Sequence, residues 1–267
     1  MRPFRKFPIA TALLTAVVLL SYWMLAAGTP YITDENLDQF ALNPAQPLSL
    51  ISHLFIHVGI FHLIGNLAPL IFFGLALEFA LLSADVVLIF LISGMGASFL
   101  FAITNPGVPL IGASAGISGM LSAVLLVKPK AALVLLIATP LLISLVFFPA
   151  AEFGGKFFEQ NLEEKKAVAE QKLTDAVRTN QTPQVIQQIN QTLQKTEEQI
   201  VVTEEGKERE AETPTDFMVH VYGAIIGGFY VYTFKRQHLK AAEKEFISIG
   251  SFFYEKLDVL AKMFKKR

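Results

Sequence analysis

Residues 84–104 read ADVVLIFLISGMGASFLFAIT, a run of 21 residues. Roughly 20 apolar residues in a helix cross a hydrocarbon core about 30 Å thick, so this run reads as a membrane span. Five more segments qualify or nearly do, at about 8–28, 58–81, 112–127, 131–149 and 217–234. The chain as a whole is 53% hydrophobic and 17% charged, with a mean hydropathy of +0.49. Soluble domains sit near about 25% charged, so this composition excludes a disordered protein and argues against a soluble enzyme. A formal net charge of -1 gives no footing for nucleic acid, and the lack of cysteine excludes disulfides and thiolate catalysis. The expected fold is an all-α membrane protein, a bundle of six transmembrane helices with a polar helical insert before the sixth.

Charge sets the orientation. Residues 1–7 carry Arg2, Arg5 and Lys6, the 128–130 turn carries Lys128 and Lys130, and residues 235–267 hold nine positive and four negative charges. Residues 29–55 hold only Asp34, Glu35 and Asp38, and residues 151–216 hold eight positive and fourteen negative charges. Positive segments stay cytoplasmic, so both termini are expected inside, and the first span is expected to be retained rather than cleaved as a signal peptide. The chain divides into spans one to five over 1–150, a polar extracytoplasmic insert over 151–213, the sixth span over 214–236 and a basic tail over 237–267. Within the insert, Leu162, Ala169, Leu173 and Val177, then Ile186, Ile189, Leu193 and Ile200, recur at helical spacing on either side of Thr182-Pro183. They predict two amphipathic helices, followed by a charged linker over 203–213. In the tail, Phe246, Phe253, Leu257, Leu260 and Phe264 share a face opposite lysines, which suits an anionic lipid surface.

Polar side chains inside a span are costly and are functional candidates by default. They gather in three places. His53, His57, His62 and Asn66 stand at the head of the second span, Gly112-Ala113-Ser114-Ala115-Gly116-Ile117-Ser118-Gly119 opens the fourth, and His220, Gly223 and Gly227 lie in the sixth. Ser114 lies 14 residues before Lys128, hence about 21 Å above the inner face at 1.5 Å per residue. His220 lies 15 residues before Lys235, hence about 22 Å up, and Asn66 reaches a similar level. Ser114 and His220 can therefore form a nucleophile–base pair. Asn66, His62 one turn above it, and the Ser114 N–H at a helix start suit an oxyanion. His57 is expected to support this group, and Gly223 and Gly227 to let the sixth helix approach the fourth. Gly116-Ile117-Ser118-Gly119 also offers a serine in a Gly-x-Ser setting, but Ser118 lies a turn deeper than His220. No helix shows a His/Glu pair at metal-ligand spacing, and no metal or cofactor is expected.

At these residues the chain resembles the rhomboid intramembrane serine proteases: His57…His62…Asn66, Gly112-Ala113-Ser114 and His220-x-x-Gly223-x-x-x-Gly227, in order and on the expected spans. The resemblance implies a rhomboid-type bundle, a serine nucleophile at Ser114, its base at His220, and oxyanion binding by His62 and Asn66. It implies transmembrane protein substrates cut near the outer membrane face through an acyl-enzyme, with the insert 151–213 recruiting or gating them. It also places at Glu78 a glutamate that braces the first outer loop, whereas the residue count alone sets Glu78 about 5 Å from the inner end of its helix, at the cytoplasmic interface, and both readings stay open. A prokaryotic plasma membrane is the expected location. The chain departs from the family's pattern at Ala115 and Ser118, where relatives carry glycine and an aromatic, and in its long insert. The alternative is a non-proteolytic relative that binds membrane clients.

Overall fold

The structure, a computed structural model, describes residues 7–43, 45–212 and 217–265. Arg2, Arg5 and Lys6 lie outside these residues, as does residue 213 at the end of the expected linker. Eleven α-helices are present among the described residues: α1 (Ile9–Ala26), α2 (Asp34–Phe40), α3 (Ser49–Ser52), α4 (Ile60–Glu78), α5 (Ser83–Thr104), α6 (Ser114–Val127), α7 (Pro129–Leu142), α8 (Phe148–Arg178), α9 (Pro183–Glu212), α10 (Phe217–Phe234) and α11 (Arg236–Lys265). Among the described residues five helical segments are long and apolar enough to cross a membrane, and α6 is a shorter apolar helix. The chain is a multi-pass integral membrane protein.

One end of the bundle carries Ser114, where α6 begins, and the other carries Lys128, where it stops. Fourteen residues make α6 about 21 Å long, too short for a full crossing, so its first turn starts within the bundle. The chain that leads down to it needs internal partners for its backbone at that depth. It finds them in the His53 carbonyl, which accepts from Gly112 N–H at 2.8 Å, and in Leu110, whose carbonyl accepts from Leu42 N–H at 2.9 Å. Helix α6 is central, flanked by α4, α5 and α10, and buries Ala115, Ile117, Met120, Ala123 and Val124.

Two acidic residues lock the Lys128 end. Glu78 accepts from Ala10 N–H, Thr11 N–H, the Thr11 hydroxyl and the Ser83 hydroxyl at 2.6–2.9 Å, capping the first turn of α1. The expectation that Glu78 braces the first outer loop is therefore corrected. It sits twelve residues beyond Asn66, about 18 Å along the helix, and so at the other end of the bundle. Asp85 pairs with Lys235 at 2.7 Å and accepts from the Tyr230 hydroxyl at 2.9 Å, tying the start of α5 to the end of α10. Removing one partner of a buried pair leaves the other charge uncompensated. Asp85→Ala is thus expected to cost about 3–5 kcal/mol, read as a lowered unfolding temperature in detergent.

The fifth span does not stop at the membrane. Helix α7, a π-turn at Ile143–Phe147 and α8 form one 50-residue rod. The wide turn follows Pro140, whose ring removes one backbone donor. Helix α9 folds back along α8 after a turn in which Asn180 takes the left-handed region, φ 48°. The seam buries Leu162, Ala169 and Ala176 at seven-residue spacing, and Thr196 and Thr203 at the same spacing opposite. Val177, expected on the buried face, is exposed. Residues 203–212, expected as a linker, are the last turns of α9. In the tail, the first half of α11 packs under α6 and α7, with Ala242 buried and the Glu245 carboxylate accepting from Lys130 N–H at 3.1 Å. Phe246 and Phe253 remain exposed, while the side chains of Leu257, Leu260 and Phe264 lie outside the description.

Candidate active site

Glycines set the distance between α6 and α10. A Cβ on Gly223 would lie 2.1 Å from the Ala115 carbonyl oxygen, and one on Gly227 would lie 2.3 Å from that of Gly119. Both pairs have the same offset along two parallel helices. His220, three residues before Gly223, is therefore level with Gly112, and Ser114 lies two residues deeper on the facing helix. The two helices that carry Ser114 and His220 thus approach each other closely near the start of α6. The Ser118 hydroxyl donates to the Ser114 carbonyl at 2.9 Å, one turn back on its own helix.

The wall opposite comes from α4. Gly112 takes φ +107°, where L side chains are strained, and a Cβ there would lie 2.8 Å from His62 Nε2 and 4.0 Å from Asn66 Nδ2. Both side chains thus crowd the backbone just before Ser114. Asn66 is 6% exposed and donates from Nδ2 to the His62 carbonyl at 2.9 Å. His57 is fully buried, its ring edge-on to His62 at 5.0 Å between centroids. The two nitrogens of His57 and Nδ1 of His62 are buried without a hydrogen-bond partner among the described residues. No side chain caps α6, so its first N–H groups are orphan donors at the positive end of the helix dipole. His62, Asn66 and the start of α6 therefore converge as hydrogen-bonding groups in a dry setting, where such groups act strongly.

The sequence that builds the α4 and α6 side of this site is similar to a known family. Residues 44–170 match the family model described as the Rhomboid domain. Over these residues the chain is similar to the rhomboid family. It is 36% identical over 76 residues to RHOMBOID-like protein 1 of Arabidopsis thaliana, which covers 28% of this chain and 20% of that protein. It is 38% identical over 76 residues to RHOMBOID-like protein 6, mitochondrial, of the same plant, covering 28% of this chain and 25% of that one. The match thus spans a quarter or less of these relatives' length. No solved structure matches the chain. Both relatives are plant proteins, one named mitochondrial, and neither supports the prokaryotic plasma membrane expected from the sequence.

His57, His62, Asn66, Gly112 and Ser114 fall within the rhomboid-domain match, while His220, Gly223 and Gly227 lie beyond residue 170. Two residues near the rhomboid site carry roles that the sequence left open. His53 Nδ1 bonds the Ser49 carbonyl at 2.5 Å and Nε2 bonds the Ser98 hydroxyl at 2.8 Å, pinning the loop before α4 to α5. The backbone carbonyl of His53 in turn holds Gly112. Glu210, near the end of α9, reaches the first turn of α4, where its carboxylate accepts from His62 N–H at 2.5 Å. Burial raises the Glu210 pKa above the ordinary carboxylate range, and Tyr31 beside it is pushed up to about 12, also chiefly by burial. Glu210 is one of thirteen acidic residues in the insert 151–213, and nothing in the sequence sets it apart.

Proposed function

We propose that this protein is an intramembrane serine endopeptidase in which Ser114 is the nucleophile and His220 its base. The observation that supports this most is the close approach of Gly223 to Ala115, which lets His220 stand beside the start of α6. His220 takes the Ser114 proton as the hydroxyl oxygen attacks the scissile carbonyl. The negative charge that develops on the carbonyl oxygen is met by Asn66 Nδ2, His62 and the Ser114 N–H. The imidazolium returns its proton to the departing amine, the peptide bond breaks, and an acyl-enzyme remains. Water, deprotonated by the same imidazole, then releases the acid.

The substrates are transmembrane proteins. A helix in lipid shields its carbonyls in its own hydrogen bonds, so it must unwind locally before attack, and helix-breaking residues near the cut favour this. By the positive-inside pattern the site faces the outer half of the membrane, with both chain ends inside. The test is to reconstitute the full chain in liposomes with single-pass reporters, with and without a Gly-Pro break in the outer half of the span. Cleavage of the broken reporter at a bond inside or beside the membrane is expected. Both reporters remaining intact while still co-purifying with the chain would contradict the reading and favour a client-binding protein.

A further inference from the structure

Helix α4, which presents His62 and Asn66, begins at Ile60 behind Gly59, a residue with no side chain to cap it. The N–H groups of Phe61 and His62 stand at the second and third helical positions, the ones an N-cap side chain normally binds. Glu210 takes the second of them from 148 residues away in sequence: its Oε1 accepts from His62 N–H at 2.5 Å. A Cβ on Gly59 would fall 2.6 Å from Glu210 Oε2, so glycine leaves the space that the carboxylate fills. The neighbouring contacts fix the dock. Arg209 pairs with Asp34 at 2.6 Å and donates to the Ile32 carbonyl at 3.1 Å. Gly206 lies so close to Tyr31 that a Cβ would meet the Tyr31 Cβ at 2.3 Å.

We propose that Glu210 is a positioning residue: the polar insert folds back onto the membrane bundle and caps, from outside, the helix that carries the oxyanion donors. The positioning role rests on the protease reading, whereas the cap itself does not. Without Glu210 the first turn of α4 frays, and His62 lies in that turn. A displacement of about 1 Å at a reacting centre is enough to cost on the order of 100-fold in rate.

The charge on Glu210 modulates the dock. The groups facing it are Tyr22 of α1, Tyr31 of the outer loop and His62 of α4, with Glu159 of α8 near Tyr31 and already paired with Lys207. Burial raises the Glu210 pKa in the docked state, so docking binds the proton more tightly than undocking does. Docking therefore weakens as pH rises through that raised value. Glutamine keeps an acceptor oxygen and carries no charge.

The test is amide hydrogen exchange on the full chain in detergent, reading peptides that cover 59–66, together with kcat and KM on a cleaved reporter. Glu210→Ala is expected to speed exchange at residues 61 and 62 by about 10-fold or more and to lower kcat more than KM changes. Glu210→Gln is expected to keep both near wild type and to lose the weakening at higher pH. Unchanged protection in Glu210→Ala, or a glutamine variant that behaves like alanine, would overturn the proposal. A chain that cleaves no reporter would sink the protease reading and with it the positioning role, but exchange at residues 61 and 62 would still report on the cap.

Discussion

Ser114→Ala is expected to lower the cleavage rate by about 10⁴-fold or more, with the unfolding temperature nearly unchanged. His220→Ala should lose about as much, and the double variant little more than either single one. The reason is that nucleophile and base act as a unit: an unactivated hydroxyl is a poor nucleophile, and an imidazole without the hydroxyl has nothing to deprotonate. Ser118→Ala is expected to retain activity, because its hydroxyl is spent on the Ser114 carbonyl of its own helix. A kinetic series on a single reporter checks all four variants. Losses that simply multiply in the double variant would mean that the two residues do not share one step.

The second large effect belongs to a residue with no chemistry. Gly223→Ala would place a methyl group 2.1 Å from a backbone oxygen of α6, which cannot swing aside as a side chain can. The helices must separate, and His220 moves with α10. A shift of about 1 Å costs on the order of 100-fold in rate, so a loss of at least that size is expected, with a lowered unfolding temperature. Gly228→Ala is the control on the same helix. Its Cβ would lie 3.6 Å from Leu126 Cδ1, ordinary contact, and near-wild-type activity and stability are expected. Equal effects at the two glycines would mean that helix propensity, not close approach, sets the outcome.

Much of this was legible because the bilayer imposes simple rules on length and charge. The apolar runs that mark the spans recur as helices, and the fourth, expected from residue 112, starts two residues later at Ser114. The glycine spacing in the sixth span reads directly as a close-packing face. What the sequence hid depends on long-range partners. Glu78 and Asp85 look alike as charges near span ends, yet one caps α1 and the other grips Lys235. His53 reads as an interfacial histidine until Ser98 is found beside it. Residues 203–212 look like linker because they are densely charged, and only the dock onto Tyr31 and α4 explains why they remain helical.

The central claim is that Ser114 is an activated nucleophile. Its most direct test is to treat the purified, folded chain with a fluorophosphonate probe and locate the adduct by peptide mass spectrometry. The account predicts a single adduct on Ser114, lost in Ser114→Ala and in His220→Ala and kept in Ser118→Ala. An adduct on Ser118, or a folded wild type that takes up no probe, would contradict it.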